Sequence, residues 1–297
     1  MPEVAAGTME VTMKYGTIGV VGAGVMGRGL AQTLAQTGHR VILIDVADAI
    51  LARARTEILK QAKFAALFDP VLRQTSEIEI IERIELTTSL GRLAIADFVI
   101  ENTTESWPLK AALYPQLDRV CSPECVIAAN TSAIAITRLA ERTTRPDQVI
   151  GMHFMNPVSQ KPVVEVIKGR QTSDATLAAA GELLTQMNKQ AIVVNDMPGF
   201  VSNRVLMLAI NEAISVVESE VAAPEDVDAI FVKCLSHKMG PLATADLIGL
   251  DTVLLSLEVL ADSFEDDKFR PCPLLRKMVE AGLHGRKSGQ GFFAYAQ

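Results

Sequence analysis

Residues 15–45 constrain this chain more than any other stretch. Thr17–Val21 is an apolar, β-branched run of the kind that a strand buried on both faces requires, and it leads directly into Gly22-Ala23-Gly24-Val25-Met26-Gly27. The spacing is G-x-G-x-x-G. Gly22 permits a tight turn, Gly24 has no Cβ to obstruct a pyrophosphate, and Gly27 lets the following helix pack closely on the strand. Backbone N–H groups of Ala23, Val25 and Met26, at the positive end of that helix, would face the phosphates. Leu30, Leu34 and Ala35 continue an apolar face to Gly38, Val41–Ile44 supply a second strand, and Asp45 closes the unit about 20 residues beyond Gly24. An acid there can accept from the adenine ribose 2′-OH and would repel a 2′-phosphate; Val46-Ala47 offers no arginine to receive one. NAD is therefore expected over NADP. A glycine-rich turn without a nucleotide would satisfy the glycines alone, but would not call for strand, helix, second strand and acid in register.

At 297 residues the chain has room for two domains, each with its own core. Its net charge of −7 and lack of a basic run exclude the phosphate-neutralising surface of a nucleic-acid binder. Cys121, Cys125, Cys234 and Cys272 have neither C-x-x-C spacing nor a dense framework, so buried free thiols in a reducing cytoplasm are expected, and no metal. No apolar run reaches the roughly 18 residues of a membrane span, and residues 1–14 lack the layout of a signal peptide. A cytoplasmic protein with no membrane partner is the expectation. Residues 1–14, with Met9 and Met13 as alternative starts, read as a loosely ordered extension.

Beyond Asp45, the pattern predicts a helix over 50–68, strands over 80–88 and 97–100, a helix over 107–120, a strand over 126–129, a short helix over 136–142 and a strand over 149–154. This alternation implies an α/β, Rossmann-type, doubly wound and mostly parallel sheet. Residues 163–194 add a further strand, helix and strand. Past Asp196-Met-Pro-Gly199 the segments 200–221, 225–236, 242–262 and 272–282 are all helix-like. The expected division is a dinucleotide-binding domain over 15–198 and an all-helical C-terminal domain over 199–297.

Ligands of such sheets bind at the carboxyl ends of the strands. Glu101 and Glu105, Asn130-Thr-Ser132, and His153 with Asn156 fall there, where a nicotinamide would meet them. Of the four histidines, His39, His237 and His284 lie in turns or at helix ends, where a solvated ring is the default. His153 leaves the sheet at its cofactor edge and is the side chain suited to moving one proton near neutral pH. A satisfied core histidine is the alternative. Glu165, flanked by Val163, Val164, Val166 and Ile167, is the carboxylate best placed to orient it; an edge-strand glutamate facing solvent is the competing reading.

Ala129-Asn-Thr-Ser132, Gly151-Met-His-Phe-Met-Asn-Pro157, Val164-Glu-Val-Ile167, the run Asp196 to Arg204, Met239-Gly-Pro241, Gly249-Leu-Asp-Thr252 and the run Gly285 to Phe292 stand in one order along the chain. Together they resemble the L-3-hydroxyacyl-CoA dehydrogenases. The resemblance implies NAD-dependent interconversion of a 3-hydroxyacyl and a 3-oxoacyl thioester, with His153 as general acid/base and Glu165 orienting it. It implies that Ser132 and Asn203 position the substrate, that Ser132, Glu105, Lys110 and Asn156 lie around the nicotinamide ribose, that Lys287 is a further cofactor contact, and that the helical half forms a homodimer. Read without the family, Ser132 is equally a helix N-cap and Asn203 a polar residue on a helix surface. The chain departs from the family at Gln61 and Phe68, where the coenzyme A enzymes carry a serine and a lysine. It is similar as well to the branch acting on hydroxyacyl groups tethered to an acyl carrier protein in polyketide extender-unit pathways. An NAD-binding protein that kept the fold and lost the reaction is the alternative of another class.

Overall fold

The computed structural model describes residues 14–68 and 75–295, without the side chains of 64–68. The expected N-terminal extension thus lies outside the described residues except for Lys14, as does the side chain of Phe68. Contacts divide the chain into two compact units: the residues through Thr131 with Ile136–Asn195, and Ser132–Ala135 with Asp196–Gln297.

In the first unit the order is β1 (Thr17–Val21), α1 (Val25–Gln36), β2 (Arg40–Ile44), α2 (Asp48–Phe68), α3 (Glu77–Glu82), β3 (Ile84–Thr87), β4 (Phe98–Glu101), α4 (Trp107–Val120), β5 (Val126–Ala129), α5 (Ile136–Ala140), β6 (Val149–His153), β7 (Val163–Lys168), α6 (Asp174–Gln186) and β8 (Gln190–Asn195). The strands form one eight-stranded sheet in the order β3-β2-β1-β4-β5-β6-β7-β8. All pairs are parallel except β6 with β7. Strand order reverses beside β1, so the crevice outside its carboxyl end is where a doubly wound sheet takes its ligand.

The period-two rule sorts the side chains between the two faces. Ile18 and Val20, Val41 and Leu43, Phe98 and Ile100, Ile150 and Met152, and Val164 and Val166 join Leu30 and Leu34 of α1, Ile58 of α2 and Leu183 of α6 in one core. The intervening residues face the opposite layer. There a Cβ on Gly151 would come within 2.8 Å of Ile136 of α5. His153 and Glu165 belong to this second face.

The second unit contains α7 (Ser202–Glu218), α8 (Pro224–Lys233), α9 (Pro241–Ile248), α10 (Leu250–Phe264) and α11 (Pro273–Glu280). Met207, Ile210 and Ile214 of α7 pack with Leu242 of α9, Val253, Leu257 and Leu260 of α10, and Leu275 of α11. Buried carboxylates hold the loops. Asp228 accepts from the N–H groups of Leu242 and Ala243 at 2.9 and 2.8 Å, capping α9. The fully buried Asp246 accepts from the N–H groups of Phe292 and Phe293 and from the Tyr295 hydroxyl, each at 3.0 Å.

Several expectations need correction. Residues 80–82 end a helix instead of opening a strand, because Ser76 and Glu79 form a capping box: Glu79 N–H donates to Ser76 Oγ at 3.2 Å and Ser76 N–H to Glu79 Oε2 at 2.8 Å. The span 242–262 is two helices, separated at Gly249, whose φ of +101° no helix continues through. His39 is no solvated turn residue: it is fully buried, its Nδ1 bonded to the Leu34 carbonyl and its Nε2 to the Gln186 side chain, both at 3.2 Å. Cys121, Cys125 and Cys272 are buried free thiols as expected, while Cys234 is exposed. Among the described residues no helix is long and apolar enough to cross a membrane.

Candidate active site

The glycine turn meets three separate demands. Gly22 has φ +97°, and a Cβ there would lie 2.7 Å from the Asn102 carbonyl oxygen. A Cβ on Gly27 would overlap the Gly22 carbonyl oxygen, so its hydrogen is what allows α1 to start against β1. Gly24 differs from both: its φ of −66° is ordinary, and among the described residues nothing but its own chain neighbours lies within 4 Å of the position its Cβ would take. Nothing internal demands a glycine there. What gains from it is a group approaching from outside.

Helix α1 begins without a side-chain cap and without an acid in its first turn, and Gly24 and Val25 are exposed. An uncapped, exposed helix start is suited to a phosphate. Asp45, at the end of β2, accepts from Ala23 N–H through Oδ2 at 2.6 Å and from Val46 N–H through Oδ1 at 2.7 Å. Its half-buried carboxylate so braces the turn and keeps lone pairs for ribose hydroxyls. These residues fit a dinucleotide whose ribose carries no 2′-phosphate.

Glu101 and Lys110 occupy a different position from the one expected. Both side chains are 0% exposed, and Lys110 Nζ donates to the two Glu101 carboxylate oxygens at 2.8 and 2.7 Å. The Thr103 N–H and hydroxyl donate to Glu101 at 2.6 and 2.5 Å, and Tyr114 OH donates at 3.4 Å. Burial, with Glu101 close by, pushes the Tyr114 phenol well above its ordinary pKa, so it remains a donor. The cluster sits beneath the loop after β4 and shapes it; neither Glu101 nor Lys110 presents its charge to solvent. Glu105, on that same loop, accepts from the Thr131 hydroxyl at the end of β5.

Asn102 and Asn130, which the sequence pattern does not mark as a pair, tie three strand ends together. Asn130 Nδ2 donates to Asn102 Oδ1 at 2.7 Å, and Phe154 N–H donates to Asn130 Oδ1 at 3.1 Å. The residue after His153 is thereby fixed to the loops after β4 and β5. Asparagines just past two adjacent parallel strands were the available signal.

His153 ends β6, and the antiparallel return of β7 places Glu165 directly opposite in register. His153 Nδ1 lies 3.1 Å from Glu165 Oε2, with the two side chains 6% and 10% exposed. A carboxylate can only accept, so the shared proton resides on Nδ1, and Nε2 is the basic nitrogen of the neutral ring. Asn156 is exposed, beyond the end of β6.

In the second unit Asn203 Nδ2 donates to the Ser132 carbonyl at 2.9 Å. Lys287 is ion-paired with Asp251, whose Oδ2 is 3.4 Å from His284 Nδ1.

Residues 17–197 match the family model for the NAD-binding domain of 3-hydroxyacyl-CoA dehydrogenase, and residues 199–295 match the model for its C-terminal domain. A probable 3-hydroxybutyryl-CoA dehydrogenase of Deinococcus radiodurans is 47% identical over 283 residues, covering 95% of this chain and 100% of the relative. A probable enzyme of the same name from Bacillus subtilis is 46% identical over 290 residues, covering 96% and 99%. Among solved structures, the (S)-3-hydroxybutyryl-CoA dehydrogenase of Ralstonia eutropha superposes with a TM-score of 0.87 at 42% identity, covering 95% of this chain and 100% of that one. With a turn shaped for a dinucleotide, a histidine–carboxylate pair at the sheet's ligand-binding edge and both family models matched in order, the chain belongs to the 3-hydroxyacyl-CoA dehydrogenase family of NAD-dependent oxidoreductases acting on CH–OH groups.

Proposed function

We propose that this protein interconverts a short-chain L-3-hydroxyacyl-CoA and the corresponding 3-oxoacyl-CoA, with His153 as the general acid/base. The observation that carries the reading is the His153–Glu165 contact of 3.1 Å at the carboxyl end of β6. In the oxidative direction Nε2 of His153 takes the proton of the 3-hydroxyl; in reduction it returns it. The glycine turn would hold NAD, which when bound would supply the acceptor for the hydride leaving C3. Glu165 holds Nδ1–H, which fixes the tautomer and offsets the positive charge that the ring acquires. Gly22, Ala23, Gly24, Val25, Met26, Gly27 and Asp45 are assigned to the dinucleotide, with Glu105, Asn156 and Lys287 as further contacts. Ser132 and Asn203 are assigned to positioning the substrate oxygen. Lys110 acts from below, through Glu101, by shaping the loop that carries Glu105.

Replacing His153 by glutamine is expected to lower turnover of acetoacetyl-CoA by about 10²–10⁴-fold while NADH binding stays nearly intact. Full turnover in that variant would remove His153 from the mechanism. For Glu165→Gln we expect a loss between about 10-fold and 10⁴-fold.

The resemblance suggests a second carrier for the same acyl group: Gln61 is exposed on α2, at a position where the resemblance implies a serine in the coenzyme A enzymes. An acyl-carrier-protein substrate is therefore the alternative. Presenting one oxoacyl group on CoA and on a carrier protein, and following NADH consumption, decides between them. A cytoplasmic homodimer, paired through the helical half, is the expected setting, and light scattering measures its mass.

A further inference from the structure

The connection from β6 to β7 joins the two strands that carry the proposed acid/base pair. His153 precedes it, Asn156 lies on it, and Glu165 stands opposite His153 once the chain has returned. Its only regular piece is a 3₁₀ turn over Val158–Gln160. Two contacts hold that turn. On one side Val158, buried, sits against α1, where a Cβ on Gly29 would come within 3.2 Å of its Cγ2. On the other is Lys189, in the link between α6 and β8. It is 7% exposed, and its Nζ donates to the carbonyls of Val158 and Lys161, each at 2.7 Å. Its own backbone is fixed, since Lys189 N–H donates to the Leu184 carbonyl at 2.8 Å and Gln190 N–H to the Pro162 carbonyl at 2.8 Å.

A buried ammonium is costly unless its N–H groups are used. Here the acceptors are main-chain carbonyls at the two ends of one short turn, and burial lowers the pKa of the amine. A cation that bridges both ends of a turn fixes the distance between them. That distance governs where the preceding residues, Asn156 among them, run past the cofactor, and where the following strand starts its register against His153.

We propose that Lys189 is a positioning residue for cofactor binding: its ammonium clamps Val158 to Lys161 and so holds the β6–β7 connection on the course that brings Asn156 to the nicotinamide ribose. The inference rests on the assignment of Asn156 to the cofactor made above. It does not depend on the His153 chemistry.

The experiment is a fluorescence titration of the full chain with NADH, which needs no acyl substrate. Lys189→Met, similar in length and without donors, should bind NADH about tenfold more weakly, equivalent to ~1.4 kcal/mol. In turnover assays its KM for NADH should rise by a similar factor while kcat at saturating NADH stays within about threefold. Lys189→Arg, which keeps the donors, should recover most of the affinity. Because Lys189 acts through Asn156, Lys189→Met made on an Asn156→Ala background should cost less than about twofold more. A general loss of folding integrity would instead add in full. Unchanged affinity in Lys189→Met, or a full tenfold further loss on the Asn156→Ala background, overturns the inference. Unchanged affinity in Asn156→Ala alone overturns the assignment of Asn156 and the inference with it. Should Lys189→Met fail to fold, Lys189→Gln, which retains one donating amide, is read by the same comparison.

Discussion

At the scale of single residues, a glycine required by the fold and one required by a ligand can be told apart by asking what a methyl group would touch. At Gly27 it would overlap the Gly22 carbonyl oxygen, so alanine must push α1 off β1. At Gly24 it would touch none of the described residues beyond its chain neighbours. Gly24→Ala should therefore melt within about 0.5 kcal/mol of the parent, as surface substitutions do, yet lose NADH affinity severely, because the added carbon occupies space the pyrophosphate needs. Thermal unfolding and NADH titration on one sample measure both, and an alanine variant that binds NADH normally would show the turn is not where the cofactor lies. Gly27→Ala should lose stability as well. Each glycine of the motif was legible in the sequence; which of them serves the fold and which the ligand was not, since that depends on distances to Asn102, Gly22 and empty space.

At the scale of elements, the strand and helix pattern was legible wherever hydrophobic periodicity was undisturbed. Helix α4 and strand β5 fall over the expected residues, 107–120 and 126–129. It failed where a few polar atoms outweighed the pattern. The run Ile80-Ile81-Glu-Arg-Ile84 has strand-like composition, but the Ser76–Glu79 capping box commits its first half to α3. The burial of Glu101 was hidden for a related reason. A carboxylate at a strand's carboxyl end reads as a ligand contact until the partner nine residues on is seen to neutralise it inside the protein. This cluster supplies a prediction at its own scale. Lys110→Met leaves a buried, unpaired carboxylate and should destabilise the protein by about 3–5 kcal/mol, whereas adding Glu101→Gln should restore much of that loss, because the penalty is the uncompensated charge and not the missing contact. Chemical denaturation of the single and double variants measures both. Equal losses in the two would mean that packing, and not charge, dominates beneath the loop.

At the scale of the whole molecule, the carboxylates and one histidine divide the acid response into two windows. Asp118 resists ionisation through burial, but the Thr144 N–H and Arg145 more than offset this and hold it below the ordinary 3.8. Its contribution is present above that value and is lost as pH falls through the lower folded-state pKa. His39 acts earlier. Burial holds its ring below the ordinary 6.5, so at mildly acidic pH the unfolded chain binds a proton there that the folded chain refuses. Stability must then rise with pH between the two pKa values, and fall as pH drops below about 6.5 until the folded-state value is passed. His39 is the group to suspect because it joins the α1–β2 turn to α6 through Leu34 and Gln186, leaving a charged ring little room to reach water. His39→Asn, which offers an amide where Nδ1 donates, should lower stability at every pH through lost packing. It should also flatten the dependence of unfolding free energy on pH in the window that opens below about 6.5, while the loss at pH values below 3.8, carried by Asp118 and other carboxylates, remains. The slope is the informative quantity, since it is insensitive to the constant packing loss: a variant as steep as the parent just below pH 6.5 would assign that window to another group.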